Sequence, residues 1–345
     1  MNSLERIRAT IKKEEHDRPI CICPGGMMNY ITTELLEKGG FNFRDAHVDA
    51  KTMADLSEYA WKEGCFENMG VPFCMTVELE GMGSKIDLGD NKREPRVVEY
   101  IYKKIEETTD VKRIDLSEGR VFAVLKAISI LKERHSDVPV VGNLTGPVSI
   151  ATSLIDSTPF YVALRKKGDI CHEFLRKITD ELIKFGSAMA DSGADVIMIA
   201  DPSATGEILG PKYFKEFAVK YLNDLVEGIK KNHPDVIVIV HICGQMTPVL
   251  AEANEINSDA FSFDAIVGLK DIRKNMQDKI IMGNVSTYAI EGQDEEKVKQ
   301  MTKLCITQGM DIISPACGLG MGSPLKNVQA VLTGTKEYGG ESCLK

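Results

Sequence analysis

Three side chains that favour soft metal ions follow two apolar segments of the sequence. His241 lies near the end of the apolar run 236–242, which is rich in β-branched residues, and Cys243 follows that run directly. Cys317 follows a second short apolar run. Side chains two positions apart on a strand point the same way, so His241 and Cys243 can share one ion, and Cys317 is the best candidate for a third ligand. Two thiolates and one imidazole suit Zn²⁺ and leave a fourth position open for a substrate. The alternative is ordinary buried cysteines and a hydrogen-bonded histidine, since the chain has no Cys-x-x-Cys pair.

The composition excludes several classes of protein. The chain has 345 residues, 43% of them hydrophobic, and a formal net charge of -9, which predicts one domain over residues 1–345 and argues against nucleic-acid or anionic-membrane partners. Its longest apolar runs fall short of the ~20 residues of a spanning helix, and its start lacks the apolar core of a signal peptide. Nine cysteines without framework spacing are typical of a reducing cytoplasm.

Strand-like and helix-like segments alternate along the chain. A helix is predicted over residues 3–15, and strands are predicted near residues 20–23, 71–77, 138–143, 196–201, 236–242, 260–264, 279–284 and 311–314. Eight strands separated by helices predict a (β/α)₈ barrel of the TIM type, with an open doubly wound sheet as the alternative. A polar stretch from about residue 78 to 117 interrupts the repeat and is predicted to be an insertion after the second strand.

Polar residues end several of the predicted strands. Besides the three possible metal ligands they are Asn143, Asp201, Asp264 and Asn284. The carboxyl ends of barrel strands converge at one end of the barrel, the mouth, where the active sites of this fold lie. These four residues are therefore expected to line the mouth, although any one of them could simply cap its strand or the next helix.

The sequence resembles a known family, the methylcobamide:coenzyme M methyltransferases, which are a branch of the uroporphyrinogen decarboxylase superfamily. The similarity extends from Arg18 to about Leu332, and the motifs that carry it are His241-x-Cys243-Gly244, Cys317-Gly318, Ala200-Asp201-Pro202 and Gly81-Met82-Gly83. The resemblance implies a zinc-bearing uroporphyrinogen decarboxylase-like barrel that moves a methyl group from a corrinoid protein to a thiol acceptor such as coenzyme M.

The resemblance also suggests roles for individual residues. His241, Cys243 and Cys317 would hold the zinc ion, which with two thiolate ligands binds a third thiolate better than it activates water. The polar residues of the mouth would orient the metal ligands or the acceptor. Met27 and Met28 would form an apolar rim facing the corrin ring, although filling the core is the commoner use of methionine.

Decarboxylation, the reaction of the other branch of the superfamily, does not suit these residues. A substrate with eight carboxylates needs guanidinium groups, which pair with carboxylates in a planar fork. The loop after the first strand, residues 23–29, contains no cation, and residues 73–76 lack the catalytic aspartate of that branch. A decarboxylase-like activity therefore stays a minor alternative.

The methyl acceptor is less well defined. Relatives that use coenzyme M, a sulfonate, carry an arginine before the second strand, where this chain has Gly70, which leaves tetrahydrofolate as an alternative. A zinc ion nevertheless favours a thiol, since coordination of an amine would occupy the lone pair that must attack. A non-catalytic scaffold that binds a corrinoid protein and carries a structural zinc is a further alternative.

Overall fold

Eight parallel strands form the centre of the computed structural model, which describes residues 1–340. In chain order they are β1 (Ile20–Cys21), β2 (Met69–Val71), β5 (Val140–Thr145), β6 (Val196–Ala200), β7 (Ile237–Ile242), β8 (Ala260–Phe263), β9 (Ile280–Val285) and β10 (Ile312–Pro315). In the sheet they follow the order β1-β10-β9-β8-β7-β6-β5-β2. Every residue of these strands is buried, as expected for strands covered on both faces.

Hydrogen bonds beside β1 close the sheet into a barrel. The backbone N–H of Glu67 donates to the carbonyl of Cys21 at 2.9 Å. The Asn68 side chain accepts from the Cys23 N–H and donates to the Cys23 carbonyl, both at 2.9 Å. The first and last strands of the sheet order are thereby joined, and the (β/α)₈ barrel predicted from the sequence is confirmed.

Helices surround the barrel and connect successive strands. In chain order they are α1 (Ser3–Lys12), α2 (Thr33–Gly39), α3 (Phe43–Ala46), α4 (Ala50–Lys62), α5 (Val77–Gly81), α6 (Gly119–Arg134), α7 (Pro147–Leu154), α8 (Ser157–Lys166), α9 (Gly168–Asp191), α10 (Gly206–Tyr213), α11 (Lys220–Lys230), α12 (Leu250–Ala253), α13 (Leu269–Asn275), α14 (Thr287–Gly292), α15 (Glu295–Thr307) and α16 (Leu325–Gly339). A π-helical segment, Phe214–Val219, joins α10 to α11. Within residues 1–340 no helix combines the length and apolarity needed to span a membrane.

The second strand lies earlier in the sequence than predicted. The expected strand over residues 71–77 is wrong, because β2 ends at Val71 and α5 begins at Val77. Pro72 has no N–H for a ladder, and its carbonyl accepts a hydrogen bond from Gly26 N–H at 2.8 Å. Residues 72–76 therefore form a loop at the mouth.

The insertion after β2 contains a small antiparallel hairpin. Its strands are β3 (Ile86–Asp87) and β4 (Arg96–Val97), and a single 3₁₀ turn, Ile105–Glu107, follows before α6 begins. The turn of the hairpin is stabilised by hydrogen bonds between Asp90 and Arg93. The predicted insertion is thus an ordered arm of the barrel.

The N-terminal helix α1 packs at the amino ends of the strands, opposite the mouth. The Arg6 guanidinium binds Asp17 at 2.8 Å and Glu67 at 3.0 Å, and Glu67 also pairs with Arg18 at 2.7 Å. Glu67 accepts a further hydrogen bond from the backbone N–H of Cys21 in β1. This buried network connects α1 to the residues that close the barrel.

Candidate metal centre

His241, Cys243 and Cys317 meet at the mouth of the barrel. Their ligand atoms all lie within 4.8 Å of one another. His241 Nε2 is 2.9 Å from Cys243 Sγ, and Cys243 Sγ is 3.0 Å from Cys317 Sγ. His241 is fully buried near the end of β7, while the two cysteines are partly exposed just past the ends of β7 and β10. The three side chains therefore present one nitrogen and two sulfurs from two separate strands to a single point.

Ser262 fixes the ring of His241. The two residues are register partners in the ladder between β7 and β8, and Ser262 Oγ lies 2.9 Å from His241 Nδ1. Hydrogen bonding at Nδ1 orients the ring and directs Nε2 toward the cysteines, which is how ligating histidines are usually held. Sequence reasoning missed Ser262, although a serine between two phenylalanines in a buried strand is the signal of a polar contact.

The loop that carries Cys317 packs directly against the loop after β1. A Cβ atom at Gly318 would stand 2.4 Å from the carbonyl oxygen of Met27, so only glycine allows this approach. Met27 in turn places its sulfur 3.9 Å from Cys243 Sγ. The glycine after Cys317 thus fixes the position of that cysteine relative to Cys243.

The two thiols share a hydrogen bond that separates their pKa values. The hydrogen bond from Cys243 and, to a lesser extent, the nearby His241 ring lower the pKa of the Cys317 thiol below its usual value, against the effect of burial. For Cys243 the same hydrogen bond and burial raise the pKa far above its usual range. The Cys317 thiol therefore loses its proton more readily than the Cys243 thiol, and a divalent cation that binds both sulfurs would displace the protons that remain.

Asn143 and Asp201 bind backbone groups around the mouth and do not contact the three candidate ligands. The Asn143 side-chain N–H group donates to the carbonyls of Pro24, Val71 and Pro72 and so connects the loops after β1 and β2. Asp201 is completely buried and accepts hydrogen bonds from the first turn of α7, Val148 N at 3.2 Å and Ser149 N at 2.7 Å. Carboxylates are stabilising at helix N-termini. Both residues therefore shape the mouth from below.

Asp264 and Asn284 lie closer to the ligands. Asp264 Oδ2 accepts from the N–H of Gly244, the residue after Cys243, at 3.2 Å. The Asn284 side chain donates to the carbonyls of Asp264 and Val267 at 3.1 and 3.4 Å. Asn284 thus holds the loop that brings the Asp264 carboxyl next to Gly244.

The two methionines have different environments. Met28 is completely buried, with its sulfur 4.0 Å from Ser262 Oγ beneath the metal centre. The expected apolar rim is therefore wrong for Met28, because a side chain packed behind the histidine support cannot face a docked ring. Met27 is half-buried beside Cys243 and keeps a position at which a substrate could touch it.

Two glutamates near the mouth were not predicted from the sequence. Glu94, from the hairpin of the insertion, accepts a 2.8 Å hydrogen bond from the Asn29 side chain, and burial of its carboxyl group raises its pKa to about 7. Glu78 is buried in α5, where it accepts from Thr145 N–H at 2.6 Å, and burial raises its pKa to about 7 as well. Neither glutamate lies in a sequence motif. The position of Glu94 depends on the path of the insertion, which the sequence does not show.

The chain that carries this site is similar over nearly its full length to named proteins. A family model described as Uroporphyrinogen decarboxylase (URO-D) matches residues 2–338. A methylcobamide:CoM methyltransferase MtbA of Methanosarcina acetivorans is 32% identical over 337 residues, 97% of each chain. A methylcobamide:CoM methyltransferase MtaA of Methanosarcina barkeri is 30% identical over 339 residues, 96% of this chain and 97% of that protein.

A solved structure described as a methyltransferase from Methanosarcina mazei superposes on nearly the whole chain. Its TM-score is 0.89 at 28% sequence identity, and the match covers 98% of this chain and 99% of the other. The similarity therefore includes the strands that carry the metal centre and the arm inserted after β2.

Proposed function

Because this chain belongs to the uroporphyrinogen decarboxylase family, and because its relatives include methylcobamide:CoM methyltransferases similar over nearly its full length, we propose that it is a corrinoid-dependent methyltransferase. The methyl donor is a methylated corrinoid protein and the acceptor is a thiol. The ligand set His241, Cys243 and Cys317 holds the zinc ion that the reaction requires. The family resemblance inferred from the sequence is confirmed by these relatives.

The observation that carries this proposal is the convergence of one imidazole and two thiols at the barrel mouth. Their ligand atoms lie within 4.8 Å of one another, and the His241 ring is held from behind by Ser262. Two sulfurs and a nitrogen are a donor set that zinc prefers, and three protein ligands leave one position for a substrate. The residues present therefore fit a catalytic zinc ion.

When bound, zinc in this ligand set would hold the acceptor thiol as a thiolate, which is the nucleophilic form of sulfur. The chain supplies the rest of the site. Ser262 directs Nε2 of His241 outward, and Gly318 keeps Cys317 within reach of Cys243. Met27 offers an apolar, adaptable contact beside Cys243.

The methyl transfer needs no reactant besides the methylated corrinoid and the thiol. The thiolate sulfur of the acceptor attacks the methyl carbon of the methyl-Co(III) corrinoid, a carbon–sulfur bond forms and the cobalt–carbon bond breaks. The electron pair of that bond stays on cobalt, which leaves as Co(I). The proton of the acceptor thiol is released when the thiol binds, before the transfer.

The other candidate acceptor is tetrahydrofolate, in which the methyl group would pass to an amine nitrogen. Gly70 favours this acceptor over coenzyme M, whose sulfonate needs a cation. A Cβ atom at position 70 would stand 1.7 Å from the Pro24 carbonyl oxygen, so no cationic side chain can replace Gly70. Two thiolate ligands nevertheless favour a thiol, because coordination would occupy the amine lone pair that must attack. A scaffold with a structural zinc would use the same residues but would bind no thiol.

The proposal is tested with zinc-loaded protein and methylcobalamin as the donor. Coenzyme M, homocysteine and tetrahydrofolate are added separately, and the Co(I) absorption spectrum is followed. We expect Co(I) and a methyl thioether with at least one thiol, and release of about one proton near pH 7 when the thiol binds. Transfer to tetrahydrofolate alone would contradict the thiol assignment, and no transfer or proton release with any acceptor would favour the scaffold.

Two cysteine variants provide the control. Cys317→Ser should lose both bound zinc, measured by metal analysis, and methyl transfer. Cys171→Ser replaces a cysteine that is equally free but buried in α9, away from the metal centre, and should keep both. Equal zinc content in the two variants would contradict the assignment of Cys317 as a ligand.

A further inference from the structure

The two sulfur atoms of the candidate metal centre lie close enough for a covalent bond to form between them. Cys243 Sγ and Cys317 Sγ are 3.0 Å apart, although 74 residues separate the two cysteines in the chain. A disulfide bond is about 2.05 Å long, so an approach of about 1 Å would bring the two atoms to bonding distance. Both cysteines lie in loops just past the ends of β7 and β10, where rotation of the side chains can supply this movement.

Exposure separates this pair from the other cysteines of the described chain. Cys243 and Cys317 are partly exposed, whereas the other six cysteines within residues 1–340 are buried. Thiol–disulfide exchange requires access of the reagent to a sulfur atom. A thiol reagent at the mouth of the barrel therefore reaches these two sulfur atoms before any other within residues 1–340.

Contacts that involve no metal hold the two loops in place. In the first loop, Gly244 N–H donates to Asp264 Oδ2 at 3.2 Å. In the second loop, Leu319 N–H donates to the Asn29 carbonyl at 2.8 Å. Each loop is thus tied to a neighbouring segment of the barrel mouth. The two sulfur atoms therefore stay neighbours in protein that has lost its metal.

From this geometry we infer that Cys243 and Cys317 are a redox-active pair, which a low-molecular-weight disulfide converts to a protein disulfide when no zinc is bound. The inference goes beyond the proposed function, because it concerns the protein without its metal and does not depend on the methyl acceptor. Zinc held by both sulfur atoms would block the reaction, since it occupies the thiolates that must attack. The disulfide offers no thiolate to a metal, so oxidation and zinc binding exclude each other.

The reaction consists of two exchange steps and needs no other reactant. One cysteine thiolate attacks a sulfur of the small disulfide, a mixed disulfide with the protein forms, and one reagent thiolate leaves. The second cysteine thiolate attacks the protein sulfur of the mixed disulfide, so the bond between Cys243 and Cys317 forms and the second reagent thiolate leaves. The two cysteines lose two electrons to the reagent, and their two protons end on the released thiols.

Zinc-depleted protein, prepared with a chelator and kept free of oxygen, tests this inference. Oxidised glutathione is the oxidant, thiols are counted with a chromogenic reagent after denaturation, and linked peptides are sequenced by mass spectrometry. We expect the thiol count to fall by two, from nine to seven, with Cys243 joined to Cys317 and no glutathione attached. Zinc-loaded protein treated in the same way should keep all of its thiols.

Single cysteine variants separate closure of the disulfide from general thiol reactivity. Cys317→Ser removes the second attacking sulfur, so Cys243 should remain a mixed disulfide and the protein should gain the mass of one glutathione group. Cys243→Ser should retain one glutathione group on Cys317 for the same reason. Cys171→Ser replaces a buried cysteine of α9 and should close the disulfide as the wild-type protein does.

Several outcomes would overturn the inference. They are an unchanged thiol count in zinc-depleted wild-type protein, glutathione that stays attached to it, and disulfides that join either cysteine to a different one. Loss of the cooperative thermal unfolding transition on zinc removal would also overturn it, because the two loops must stay in place without the metal. The methyl-transfer test uses zinc-loaded protein, so each proposal can fail without the other.

Discussion

At the scale of single residues, the orientation of His241, a proposed metal ligand, depends on a serine that is not itself one of the proposed ligands. Ser262 is the hydrogen-bond partner of His241 Nδ1 and is completely buried. Without it the ring could rotate away from the two cysteines, and the tautomer that leaves Nε2 free would lose its support. The side chain therefore matters for metal binding more than for stability.

We expect Ser262→Ala to weaken zinc binding by about tenfold to 100-fold. The measurement is competition with a chromophoric chelator, alongside a thermal unfolding curve that should change little. Ser258→Ala is the matched control, because Ser258 lies just before β8 and its buried hydroxyl has no hydrogen-bond partner among the described residues. Equal zinc affinity in Ser262→Ala and the wild-type protein would contradict this role.

At the scale of elements, α1 depends on a buried ion network for its connection to the barrel. Arg6 and Glu67 have side chains only 5% and 7% exposed, and Glu67 also binds Arg18 and the backbone of β1. Removing Arg6 takes one of two arginine partners from the buried Glu67 carboxylate and empties a buried position, which is more costly than loss of a surface pair.

Arg6→Ala should therefore lower the free energy of unfolding by about 3 kcal/mol, measured by urea denaturation. Arg8→Ala removes a neighbouring arginine of the same helix, whose side chain is 55% exposed and 3.4 Å from Asp195, and should cost less than about 1 kcal/mol. If the two variants were equally unstable, the packing of α1 rather than the ion network would be responsible.

At the scale of the whole molecule, carboxyl groups with opposite pKa shifts set the pH range of greatest stability. The pKa values of Asp17 and Glu58 are lowered to about 2, against the effect of burial. Arg6 lowers the pKa of Asp17. Hydrogen bonds from Lys62, His135 and Arg134 lower that of Glu58. The stability they contribute is lost as the pH falls toward 2. Burial raises the pKa values of Asp201 and Glu78 to about 6 and about 7, so stability falls as the pH rises through those values. Because the loss begins at the ordinary pKa values of Asp201 and Glu78, these groups together favour a maximum near about pH 4.

Glu78→Gln tests the high-pH side of this range. The amide keeps an oxygen to accept from Thr145 N–H but cannot ionise. Relative to the wild-type protein, the variant should gain up to about 3 kcal/mol in unfolding free energy between pH 4 and pH 8, the equivalent of a pKa raised from 4.5 to about 7. Urea denaturation at both pH values measures it. A constant difference between the two proteins would contradict the buried, ionising state of Glu78.

The sequence was sufficient for the architecture and for the three side chains that meet at the mouth as candidate metal ligands. The alternation of apolar strands with helices predicts the barrel, because strands covered on both faces must be apolar throughout, as in Ile237–Ile242. The ligand types and their position at strand ends predict the site, because parallel strands in a barrel converge at one end. The error in β2 was local, since residues 73–77, apolar apart from Thr76, have the composition of a strand but follow a proline.

The tertiary structure decided which of the other polar residues reach the site. Asn143 and Asp201 follow the same strand-end pattern as His241, yet Asn143 binds backbone carbonyls of neighbouring loops and Asp201 binds the first turn of α7. Ser262 reaches the histidine only through the register of β7 and β8, and Glu94 reaches the mouth only through the path of the inserted hairpin. The periodicity of a strand predicts on which face of the sheet a side chain lies. The residue that it contacts depends on long-range packing, which the local sequence does not encode.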